Sequence, residues 1–114
     1  MQKEIPPNVI EALHDLVHQL VVGNYAALEA DGRAGQLTAA MLEQGVMEYG
    51  RTLIDMPYEA IRNVDVYPLE GESNAWAVDI VLPTAGGEDE LTLQVLVESR
   101  PEGVHVEITD LHVL

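Results

Sequence analysis

The sequence predicts an α+β fold in which two helices pack on one face of a four-stranded antiparallel meander. Apolar residues recur with helical spacing through the first half of the chain and with period two after about residue 60, and the later segments are separated by hairpin-length gaps. A chain of 114 residues that is 47% hydrophobic also has enough apolar area for one packed core, so 1–114 is read as a single domain.

The first helix is expected over 9–22. Asn8 stands where an N-cap would, and Glu11 three residues on can return the bond as in a capping box. At about 100° per residue, Val9, Ile10, Leu13, Leu16, Val17, Leu20 and Val21 share one face, with Glu11, Asp15, His18 and Gln19 opposite. Gly23-Asn24 ends this helix as a left-handed cap, and residues 25–29 can add one turn before Asp31-Gly32-Arg33-Ala34-Gly35 breaks the chain. A second helix over 38–49 places Ala39, Leu42, Val46 and Tyr49 on one side, with Gly45 permitting close approach and Gly50 as the stop. Residues 51–58 follow neither period and read as a partly buried connector.

Strands are expected over 61–67, 75–82, 90–98 and 104–113. Their inward set is Val64, Val66, Trp76, Val78, Ile80, Leu82, Leu91, Leu93, Val95, Val97, Val104, Val106 and Ile108, a continuous apolar surface for the helices. The outward set mixes acids with small and apolar residues: Asn63, Asp65, Tyr67, Ala75, Ala77, Asp79, Val81, Thr92, Gln94, Leu96, Glu98, His105, Glu107 and Thr109. Such a face suits solvent, a dimer or a partner.

Charge narrows the partners. Twenty Asp plus Glu against five Lys plus Arg give a formal charge of -15, which repels nucleic acid and anionic membranes and favours a basic protein. The lone lysine, Lys3, also matches salt-adapted proteins, whose acidity serves solvation. Without cysteine there is no disulfide framework, thiolate nucleophile or cysteine zinc site. Apolar runs such as Leu20-Val21-Val22 fall far short of the roughly 20 residues of a membrane span, and the opening Met1-Gln2-Lys3-Glu4-Ile5-Pro6-Pro7 has no apolar signal core. The expected location is the cytoplasm.

Two side-chain constellations could carry chemistry. Glu11, His14 and His18 share one flank of the first helix at the spacing of a metal site, although the sequence shows no further ligand. If the last hairpin places Ser99 opposite Val104, Glu98 faces His105, a carboxylate holding an imidazole, with Asp65, Tyr67 and Asp79 on the same face. The same pair serves equally as a surface contact. Gly86-Gly87 and Gly32-x-x-Gly35 lack the strand-to-helix setting of a phosphate cradle, so they read as turns and no cofactor is expected, and Ser73 and Ser99 lack a nucleophile elbow, so nucleophilic catalysis is not expected either.

The string Gly23-Asn24-Tyr25-Ala26-Ala27-Leu28, with two helices before a meander, resembles the cystatin-like or nuclear transport factor two-like domains. That resemblance implies a scaffold that hosts isomerases, dehydratases, ligand carriers and structural dimers. In size, acidity and layout the chain is also similar to small bacterial immunity proteins, which implies neutralisation of a toxin by binding. Three readings follow. The first is an acidic, non-enzymatic binding protein of the immunity type, its contacts drawn from Asp65, Tyr67, Asp79, Glu98, His105 and Glu107 and from the acidic loops Glu70, Glu72, Glu88, Asp89 and Glu90. The second is a small-molecule binder or enzyme with a pocket between helices and sheet. The third is a homodimer joined through Ala75, Ala77, Val81 and Leu96.

Overall fold

The computed structural model describes residues 5–69, 71, 74–87 and 90–113. The first helix, α1, spans Pro7–Val21, two residues earlier than its apolar stripe requires. Pro6 is the N-cap and Pro7 the first helical residue, so Asn8 lies inside the helix and the expected Asn8–Glu11 capping box does not form. Proline suits that position because its missing N–H would have no helical partner and its φ is already helical. At the other end Gly23 takes φ +76, and the N–H groups of Gly23 and Asn24 donate to the carbonyls of Leu20 and Gln19, a Schellman closure.

A short α2 (Tyr25–Ala30) and the turn through Gly35 lead to α3 (Ala39–Tyr49). Thr38 caps α3 by accepting from Met41 N–H, and Glu29 of α2 reaches across to accept from Ala39 N–H at 2.7 Å. The close approach expected at Gly45 is present: a Cβ there would lie 3.1 Å from Leu111 Cδ2.

The first expected strand is corrected. Residues Tyr58–Arg62 form a fourth helix, α4, and strand β1 begins only at Asp65 and ends at Pro68. Ile61 is fully buried, but as the inward residue of a helical turn capped by Pro57, and Asn63 is the C-cap of that turn. The remaining strands are β2 (Ala75–Val81), β3 (Leu91–Arg100) and β4 (Gly103–Val113), and the sheet is an open antiparallel meander in the order β1-β2-β3-β4.

Register puts like with like across the inner face: Val66 opposite Val78, Val78 opposite Val95, and Val95 opposite Ile108. Val78, Val95 and Ile108 join Leu13, Leu16, Val17 and Leu20 of α1, Leu28 of α2, Leu42 of α3 and Ile61 of α4 in one buried cluster, with the half-buried Val66 packed against it. Each such side chain contributes roughly 1.5–3 kcal/mol on leaving water. A bulge in β4 shifts the register between Gln94 and Val95, so Thr109 is extra; beyond it Leu111 faces inward opposite Leu93, while Asp110 and His112 face outward. The edge of β4 is crossed by residues 33–35, where Ile108 N–H donates to the Arg33 carbonyl at 2.7 Å. Among the described residues no helix is long and apolar enough to cross a membrane.

Candidate functional site

The outer sheet face gathers most of the sequence-derived candidates because the pleat turns every second side chain away from the helices. Asp65 of β1 stands opposite Asp79 of β2, with Tyr67 two residues further along. Asp65 first, then partial desolvation, then Asp79 by charge and hydrogen bond hold the Tyr67 phenol above its usual value, so it stays a neutral donor. Two carboxylates directly across a ladder repel one another, a local cost that the packing of the core does not require. Next to them lie Ala77 and Leu96, paired in register, and then Glu107 opposite Leu96. Tyr67 is 49% exposed and Val81 42%, whereas Ala75 and Thr92, assigned to the same face, are buried.

The face therefore has a small apolar row, Tyr67, Ala77 and Leu96, that ends at Glu107 and is bordered on one side by Asp65, Asp79 and Gln94 and on the other by Ala75, Glu98 and His105. The helices bury their apolar residues in the cluster on the other side.

The expected Glu98–His105 pair is corrected in part. Their Cα atoms are cross-strand partners as the hairpin spacing requires, but the side chains turn elsewhere. Glu98 accepts from Arg100 Nη2 at 2.9 Å, and His105 Nε2 lies 3.5 Å from Glu107 Oε1, the outer limit of a hydrogen bond. His105 also borders a shallow recess with Ala12, Asp15, Asp31, Arg33, Val104 and Val106. There Arg33 bridges Asp15 and Asp31 at 2.7 and 2.8 Å. Sequence reasoning missed this ion network because Arg33 sits in a turn, with neither partner at helical spacing from it. Of the acidic loop residues, Glu90 is exposed and its N–H donates to Tyr49 Oη, while Glu70, Glu72, Glu88 and Asp89 lie outside the described residues.

The three residues considered as metal-ligand candidates each have another partner. His14 stacks on Tyr58, Glu11 accepts from the Tyr58 hydroxyl, and His18 meets Asp55. Among the described residues no group of three or more His, Cys, Asp or Glu is placed to hold a metal ion. The apolar cavity between the start of α1 and the sheet measures about 60 Å³ and is lined by Ile5, Pro6, Val9, Val66, Trp76, Val78 and Val97. None of Tyr67, Asp79 or His105 reaches it.

A family model described as a domain of unknown function, DUF7668, matches residues 17–114. The chain belongs to the DUF7668 family. The matched stretch begins inside α1 and takes in the other three helices and the whole sheet, so every outer-face residue of this DUF7668 domain lies within it. No curated protein and no solved structure matches the chain.

Proposed function

We propose that this DUF7668 domain is a non-catalytic binding protein of the immunity type, which neutralises a partner with a basic surface by laying the outer sheet face against it. The observation that carries this reading is that face itself: an apolar row at Tyr67, Ala77 and Leu96 whose border includes the carboxylates of Asp65, Asp79, Glu98 and Glu107. Interfaces have this anatomy, a desolvated centre with a polar rim. The acids would speed encounter with a cationic surface, while Tyr67 and Leu96 would supply the buried anchors. A chain of net charge -15 has a field of the right sign.

The other readings find less support. A cystatin-like pocket enzyme needs polar groups turned inward, and the cavity under α1 is lined by apolar side chains. A homodimer through the same face would bring two acidic faces together, and Ala75, one of its expected contacts, is buried within the protomer.

The test is capture with the immobilised domain, followed by rebinding of the purified captured protein. The expected partner is basic, loses its own activity in the complex, associates about tenfold more slowly at high salt, and binds about tenfold more weakly to Tyr67→Ala or Leu96→Ala. A partner whose binding ignores both salt and these substitutions overturns the proposal.

A further inference from the structure

The two edges of the sheet are finished differently. At β1 the Leu69 N–H turns inward to the Ala75 carbonyl, so by alternation Val66 and Pro68 face the edge, and Pro68 has no N–H to offer. A four-residue strand that ends in proline is a blunted edge. At β4 the Ile108 N–H turns outward to the Arg33 carbonyl, and the register with β3 is unbroken from Val104 to Ile108. The N–H and C=O groups of Val104 and Val106 therefore face the edge as well. Among the described residues no backbone group is bonded to Val104 or Val106 from that side. Val104, His105 and Val106 instead line an open recess of about 320 Å³ with Asp15, Asp31 and Arg33. One guanidinium there serves two carboxylates, each about half exposed, so the recess keeps a net negative charge.

We infer that the β4 edge at residues 103–107 takes an extended, lysine- or arginine-rich segment of another protein as a fifth strand. In strand addition the main chain supplies affinity and alternate side chains supply specificity. Here the free groups of Val104 and Val106 supply the ladder, and the segment lies about 4.8 Å from β4, in the mouth of the recess. Its cationic side chains meet Asp15 and Asp31, which now share the single charge of Arg33, and form charge-assisted bonds with them. A second copy of this chain fits the edge poorly, because it would bring the same carboxylates against their like. The Arg33 turn fixes where the added strand stops, since it already holds the next edge group, Ile108 N–H. This site lies at the rim of the sheet, apart from the Tyr67–Leu96 row, and neither reading depends on the other.

The probe is a short capped peptide of alternating lysine and valine, titrated into the full chain and followed by amide shifts and hydrogen exchange. Bound peptide should slow exchange of the Val104 and Val106 N–H groups about tenfold and leave that of Val66 unchanged. Methylating the backbone nitrogens of all the lysines, or in a second peptide of all the valines, removes donors from one side of the added strand only. One of these peptides should bind about tenfold more weakly and the other like the parent. Asp15→Asn with Asp31→Asn keeps acceptors for Arg33 and should weaken the parent peptide about three- to tenfold. Tyr67→Ala should leave it unchanged, so this site and the outer-face reading fail separately. No binding of the parent peptide, equal binding of the two methylated ones, or binding that Tyr67→Ala abolishes overturns the inference. Self-association of the chain that the peptide displaces from Val104 and Val106 would assign the edge to a second copy and overturn it too.

Discussion

The two faces of the sheet are built from the same strands in alternation, yet they are opposite in kind. On the inner face Val78, Ile80, Leu93, Val95, Val97 and Ile108 are each at most 1% exposed and touch four helices through one cluster. On the outer face Tyr67 is about half exposed, and the carboxylates of Asp65 and Asp79 repel one another across β1 and β2. The difference teaches that close packing and exposed charge are separated by the pleat. The inner face is set by packing, and the outer face is left to carry charge that folding itself disfavours.

The sharpest way to break this comparison uses two leucines three residues apart in β3. Leu93 is fully buried on the inner face, and Leu96 is half-buried on the outer. Leu93→Ala should cost about 2–5 kcal/mol in urea unfolding, through lost transfer and an unfilled cavity. Leu96→Ala should cost less than about 1 kcal/mol and act on binding instead. Equal losses at the two positions would mean that the outer face is also part of the core.

A second test falls on the border between the faces, where residues 33–35 cross the edge of β4. Gly35 has φ +63, and a Cβ there would stand 2.6 Å from the Ile108 carbonyl oxygen. Gly35→Ala must therefore push the strap off the strand or strain its backbone. A loss of roughly 1–3 kcal/mol in the same unfolding measurement is expected, with weakened exchange protection at Ile108 N–H.

How much of this was legible follows from where periodicity operates. The α1 stripe, the Thr38 start of α3, the Gly50 stop and the register of the last hairpin all follow from local spacing, and each is present. Residues 58–62 were not legible as a helix because a five-residue turn shows only one buried position, Ile61, which a strand pattern explains equally well. The β4 bulge did leave a signal. Val104, Val106 and Ile108 occupy even positions and Leu111 and Val113 odd ones, a change of parity that only an extra residue reconciles. For the candidate site, backbone register was readable while side-chain direction was not. Glu98 and His105 face each other at Cα, but an arginine two residues along β3 and a glutamate two residues along β4 take their side chains.

A smaller effect probes the charge on the outer face directly. Removing one of two facing acids with Asp65→Asn should raise stability by ~0.2–1 kcal/mol. It should also let the Tyr67 phenol titrate closer to its ordinary value, since Asp65 is the largest cause of its upward shift. Phenolate absorbance against pH reads this out. An unmoved Tyr67 would show that the two side chains do not share a field.

The smallest effect concerns Asp31, which closes the ion network at the β4 edge. Partial desolvation pushes its carboxyl upward, but the hydrogen bonds and charge of Arg33 outweigh this, and the group ends below its usual value. A carboxyl depressed in the folded state adds stability above its unfolded pKa and loses it as pH falls through the folded one. Wild type should therefore exceed Asp31→Asn by a few tenths of a kcal/mol near neutrality, a modest figure because the side chain is 45% exposed and solvent screens the pair. The two should converge below about pH 4. Asparagine can still accept from the Arg33 N–H, as Asp31 Oδ1 does at 3.1 Å, so the turn is preserved and the difference isolates charge. A gap that stayed flat through the acid range would mean that Arg33 is held by Asp15 alone, and that the border of the two faces is fixed from α1 rather than from the turn.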